Sequence, residues 1–144
     1  MITHTKLDHE LVVATFDPET AIALIDYRGA LDAEASAAAY NWLQDLLEKI
    51  GSEALFGEIF DFRRVTQFKT DNLIDARKHS RRMNLMMETY YFPVAMVVGN
   101  AMQEEILRGP MRVMPGNPRK RIVYEMDDAV AFIQSWHQGG AGSA

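Results

Sequence analysis

The stretch DFRRVTQFKTDNL, residues 61–73, holds the side chains best placed to do chemistry in this chain. It follows LFGEIF, an apolar, aromatic run of strand length. A strand is therefore expected to deliver Asp61 to its end, with a short polar loop next and a helix opening near Thr70 and Asp71. Among parallel strands, the carboxyl end of a strand just before a helix N-terminus is where anions and ligands are held. A threonine hydroxyl there could accept a phosphate that the helix dipole and free backbone N–H groups would then stabilise. The plainer reading is that Thr70 or Asp71 is an ordinary N-cap.

A second feature lies in DARKHSRRMNL, residues 75–85. At about 100° per residue, Leu73, Ala76, Ser80, Met83 and Met87 define the buried side of this helix. Arg77, Lys78, Arg81 and Arg82 fall opposite them, with Ile74 and Leu85 among the cations. A basic strip with embedded aliphatics suits contact with an anionic surface. Long cationic stems covering Ile74 and Leu85 on a solvated face are the alternative. A third feature is GPMRVMPGNP, residues 109–118, whose three Pro and two Gly rule out regular helix. Met111, Arg112, Val113 and Met114 are expected to form a lid beside the preceding helix, with soft methionines facing an apolar partner. The alternative is a loop folded back to cap the core.

Other chemistry finds no support in the residues. The His at 4, 9, 79 and 137 have no zinc-ligand spacing, and no nucleophile elbow, phosphate-binding glycine loop or dinucleotide fingerprint occurs. With no cysteine there is no disulfide, thiolate nucleophile or iron–sulfur site. Asp26 and Glu58 fall within expected strands but are expected near sheet ends, wet and of ordinary acidity. A net charge of −5 argues against broad nucleic-acid binding. No run approaches the ~20 apolar residues of a membrane span, and the N-terminus has no signal-peptide pattern. The expectation is a non-enzymatic, cytoplasmic protein without cofactor, peripheral at a membrane if its basic strip is used.

The elements that must position these residues read clearly. LVVATF (11–16) and AIALIDY (21–27) form a hairpin across DPET. Asp32 caps a long amphipathic helix over 33–50, stopped by Gly51. A third strand covers 54–62, a helix 70–87 and a fourth strand 93–98. A short helix then follows Asn100 and Gln103, which have the spacing of a capping box. The last strand covers 121–126. Asp127 or Asp128 caps a final helix with Val130, Ile133, Trp136 and His137 on one face. The 144 residues, 48% hydrophobic, suit one α/β domain over 1–138. Its sheet is expected to be single, mixed, mainly parallel and five-stranded, with about four helices, and 139–144 to be a disordered tail.

GALD (29–32), the long helix, the strand ending in Asp61, DFRRVTQFKTDNL and EMDDAVAFI together resemble the STAS domains, from about Leu11 to Trp136. In bacterial anti-sigma factor antagonists of that family the equivalent corner carries a phosphorylated serine. Asp61, Val65, Phe68 and Leu73 match that motif in type and spacing, which puts Thr70 on the phosphoacceptor position. Lys69, Asp71 and Asn72 depart from it, and Asp71 sets a fixed negative charge where the phosphate would sit. The chain is therefore most similar to the divergent SpoIIAA-like, lipid-transfer-like branch. That resemblance implies a binding or regulatory module without turnover. The expected partner is a lipid-like or small apolar ligand or an anionic membrane surface, and a homodimer is compatible. The alternative is a protein-interaction regulator of the anti-sigma-factor-antagonist type, acting on a protein partner through the Thr70 corner.

Overall fold

The computed structural model describes residues 6–86, 92–110, 113 and 119–138, without the side chains of 80 and 83–86. One mixed sheet has its strands in sequence order. They are β1 (Lys6–Asp8), β2 (Val12–Asp17), β3 (Ile22–Leu31), β4 (Gly57–Phe68), β5 (Val94–Val97) and β6 (Lys120–Val123). The helices are α1 (Ala33–Ile50), α2 (Thr70–Met86), α3 (Ala101–Arg108) and α4 (Met126–Gln138). β1 and β2 pair antiparallel, as do β2 and β3, and the β3–β4, β4–β5 and β5–β6 pairs are parallel. Among the described residues the sheet thus has six strands rather than the expected five. The extra one, KLD, is too short and polar to show a period of two.

Local chemistry accounts for most boundaries. Asp32 accepts from the Ala35 N–H at 2.9 Å and caps α1, and Gly51, at φ 84°, returns its N–H to the Leu47 carbonyl at 2.8 Å. Asn100 caps α3 by accepting from Gln103 N at 2.9 Å. The expected capping box is modified, because the Gln103 carboxamide accepts from Gly99 N and donates to the Val65 carbonyl, tying α3 to β4. α4 starts at Met126, so Asp127 and Asp128 lie inside its first turn. The Glu125 carbonyl accepts the N–H of Asp128 and Ala129.

Sequential parallel strands joined by crossovers of one hand put the connecting helices on one face. There Leu43 and Leu46 of α1 and Leu107 of α3 pack with Ile25, Phe60, Phe62 and Val98. α4 covers the other face, where Ala129, Phe132 and Ile133 meet Ile59, Ala95 and Val97. The helix sits close because of Gly57: a Cβ built there would lie 2.8 Å from Ile133 Cγ2. The tail at 139–144 lies outside the described residues.

Candidate functional site

The polar stretch after Asp61 is not a loop. β4 is 12 residues long and runs on to Phe68, paired with β3 as far as Leu31. Two bulges make this possible. The register steps from Asp26↔Asp61 to Arg28↔Arg64, and from Gly29↔Val65 to Ala30↔Gln67, leaving one extra β4 residue each time. The first bulge brings Asp61, Arg63 and Arg64 together. Asp61 is 3% exposed and accepts from the Arg63 backbone N–H at 3.0 Å, from its Nε at 3.0 Å and from its Nη2 at 2.8 Å. Burial alone would raise the Asp61 carboxyl, but the Arg63 hydrogen bonds outweigh it and hold the group below the ordinary carboxylate value. Arg64 pairs with Asp26 at 2.7 Å, Arg28 approaches the same oxygen at 3.7 Å, and Asp26 Oδ1 is buried without a partner.

Asp61 therefore does not belong to the Thr70 corner. Six strand residues lie between it and Phe68, on the order of 20 Å. At the corner, Lys69 N donates to the Leu31 carbonyl at 2.9 Å, and the Lys69 carbonyl accepts the Leu73 N–H at 3.2 Å. That places Thr70 as the first residue inside α2 and not as its cap, which corrects the N-cap reading. Thr70 and Asp71 are both exposed.

Polar contacts that the apolar pattern did not reveal set the orientation of α2. Asn72 is 4% exposed and its Nδ2 donates to the Asp32 carbonyl at 3.0 Å. The Ser36 hydroxyl donates to Asp75 Oδ2 at 2.5 Å, His79 reaches the same oxygen at 3.3 Å, and the His79 ring stacks on Tyr40. Of the expected buried side, Ala76 is buried and Leu73 half-buried, while the side chains of Ser80 and Met83 and the whole of Met87 are not described. The side turned away from α1 carries Thr70, Ile74, Lys78 and Arg81, all exposed, with Ile74 at 64%, flanked by exposed Arg82 and half-buried Arg77. The structure thus joins Thr70 to the basic strip, which the sequence reading had kept apart as rival sites. The Leu85 side chain is not described.

The expected lid residues are described at one position, Val113. Met111, Arg112 and Met114 lie outside the described residues. Val113 is 4% exposed in the core, and its N–H donates to the Leu107 carbonyl at 2.8 Å. Its aliphatic side chain packs in the core cluster that includes residues of α1 and α3.

Glu58 corrects a further expectation. It is the second residue of β4, pairs with Ala23 on one side and Val94 on the other, and is 4% exposed. Its Oε2 has no hydrogen-bond partner. Burial pushes the carboxyl up to about 7, against the pull of Arg119 and then Lys120. Lys120 is pushed down to about 8, first by burial and then by Arg119. Among the described residues no three His, Asp or Glu gather as a metal ion would require. No described helix is long and apolar enough to cross a membrane.

Comparison with protein-family models gives no match, and comparison with curated proteins gives none either. Solved structures do match over nearly the whole length. An uncharacterised protein of the DUF3478 family from Shewanella loihica PV-4, described as having a SpoIIAA-like fold, superposes with a TM-score of 0.53 at 14% identity, covering 91% of this chain and 92% of that one. The fold is SpoIIAA-like. The anti-sigma factor antagonist SpoIIAA in its unphosphorylated form matches with a TM-score of 0.52 at 10% identity, over 92% of this chain and 98% of its own. An anti-sigma factor antagonist from Mycobacterium paratuberculosis matches at 0.51 and 13% identity, over 93% and 95%. Identities this low carry the SpoIIAA-like architecture and leave the site to be argued from its own residues.

Proposed function

We propose that this chain is a non-catalytic regulatory module that binds a protein partner through the outer side of α2, from Thr70 to Arg82. The observation that carries this reading is the shared exposure of Thr70, Ile74, Lys78 and Arg81 on a helix whose other side is held to α1 by Asn72 and Asp75. A large aliphatic group at 64% exposure among cations offers an anchor inside a ring of charge. The partner's surface is acidic with an apolar pocket, since like-signed surfaces would repel this strip. The SpoIIAA-like neighbours include two anti-sigma factor antagonists, which supports a protein partner ahead of the lipid-like ligand that the sequence favoured. Asp71 next to Thr70 places a fixed carboxylate where a phosphate would go, so the corner is read as a docking surface and not a phosphorylation switch.

The test replaces Ile74 by a photo-crosslinking residue in cells, with Glu19 as a control position. Crosslinking of one acidic protein at position 74, abolished by Arg81→Glu with Arg82→Glu, is the expected result. Anionic lipid vesicles are offered to the purified chain in parallel at low salt. Sedimentation with vesicles, lost in the same double variant, together with no protein adduct at position 74, would overturn the protein-partner reading in favour of a membrane surface.

A further inference from the structure

β6 is the last strand of the sheet, and among the described residues no strand lies beyond it. The Arg119 and Val123 carbonyls accept from Val94 and Val98 on the β5 side at 2.8 and 2.9 Å. Peptide groups alternate in direction along a strand, so the N–H and C=O of Ile122 point off the edge of the sheet, where they form a template for another strand.

An open groove of about 520 Å³ lies beside this edge on the α4 side, between Arg121 and Val123 of the strand segment and Asp128, Ala131, Phe132 and Ser135 of the helix. Ala131 and Ser135 make its helix wall small and exposed. The Arg121 guanidinium lies over the Phe132 ring, 4.6 Å from its centroid, so the groove holds an apolar surface next to a cation.

Charge along this segment is polarised. Arg119, Lys120 and Arg121 precede Ile122, and Glu125, Asp127 and Asp128 follow it. A parallel copy in register would oppose like charges. An antiparallel copy about a two-fold axis at Ile122 sets Arg119 opposite Glu125 of the second copy and Lys120 opposite its Tyr124, with Ile122 pairing with itself. The outward-pointing peptide groups then meet one another, and the exposed Arg121 lies diagonally across from the exposed Glu125 of the second copy. The same axis stands normal to the sheet and keeps both α4 helices on one face. Ala131 and Ser135 are small enough to let the two helices approach across the groove.

We propose that the β6 edge and its α4 groove are a self-association surface, at which a second copy of this chain adds its β6 antiparallel to the first and seats its α4 in the groove. The surface lies on the edge strand and α4, apart from the α2 strip, so the two proposals fail independently.

Sedimentation equilibrium of the full chain, diluted from near-millimolar to micromolar, tests it. The expected species at high concentration has twice the 16.3 kDa chain mass, and salt loosens it. Ala131→Glu, on an exposed helix position, and Ile122→Pro, which removes the outward N–H, should each weaken the dimer by about tenfold or more. Circular dichroism checks that each variant is folded, and Ala131→Glu carries the test alone if Ile122→Pro unfolds. A wild type that stays at 16.3 kDa throughout, or a dimer that folded Ala131→Glu leaves equally tight, overturns the proposal.

Discussion

Replacing Glu58 by Gln should change how stability depends on pH, and the structure sets both the sign and the size. The Glu58 carboxyl is raised from 4.5 to about 7 because it is buried at the centre of the sheet, with Arg119 and Lys120 only partly compensating. A raised carboxyl pKa means that folding disfavours the charged form. The stability associated with this group is fully present below pH 4.5, is lost as pH rises towards 7, and is absent above. The shift corresponds to roughly 3 kcal/mol between the ends of that window, at about 1.4 kcal/mol per pH unit. Gln cannot ionise, so Glu58→Gln should gain up to roughly 3 kcal/mol on the wild type between pH 4.5 and pH 8. A buried amide that finds no partner costs about 1–3 kcal/mol, but that offset is the same at every pH. The difference curve is therefore the measurement. Urea unfolding of both proteins across this range, read as ΔΔG against pH, should rise with pH and level off above 7. A flat difference, or one that falls as pH rises, would refute the burial argument.

Gly57→Ala should destabilise the protein by about 1–3 kcal/mol, because the new methyl would press on Ile133 at 2.8 Å; Ile133→Ala in the same chain should make the substitution less costly, as thermal melts of the four proteins would show. Thr70→Ala should cost no more than about 0.5 kcal/mol, since Thr70 is exposed and is not the helix cap, whereas Asn72→Ala should cost about 1–2 kcal/mol by removing a buried donor to the Asp32 carbonyl. Equal losses in denaturant titrations of these two variants would contradict the placement of the α2 corner.

Signals carried by a few neighbouring residues determined much of this protein. Asp32 and Gly51 bound α1, Asn100 starts α3, and the turn after Asp17 closes the β2–β3 hairpin; each depends on side chain to backbone or backbone to backbone bonds that span no more than about one helical turn. The alternation of strands with long helices likewise implied a mainly parallel sheet, which the pairing from β3 to β6 shows. Contacts between distant segments decided the rest. In β4 the bulges leave Phe60, Phe62, Val65 and Phe68 inward at steps of two, three and three, a spacing that hides a strand until β3 lies beside it. A tighter reading of Asp61 followed by two arginines could have suggested the bulged ion pairs, but no local pattern shows that Glu58 lies under a covered face. The orientation of α2 depends on Asn72, Asp75 and His79, polar residues whose partners, Asp32, Ser36 and Tyr40, lie in another part of the chain. Periodicity counts apolar groups, and a helix docked through hydrogen bonds shows its inner side only when its partner is in place.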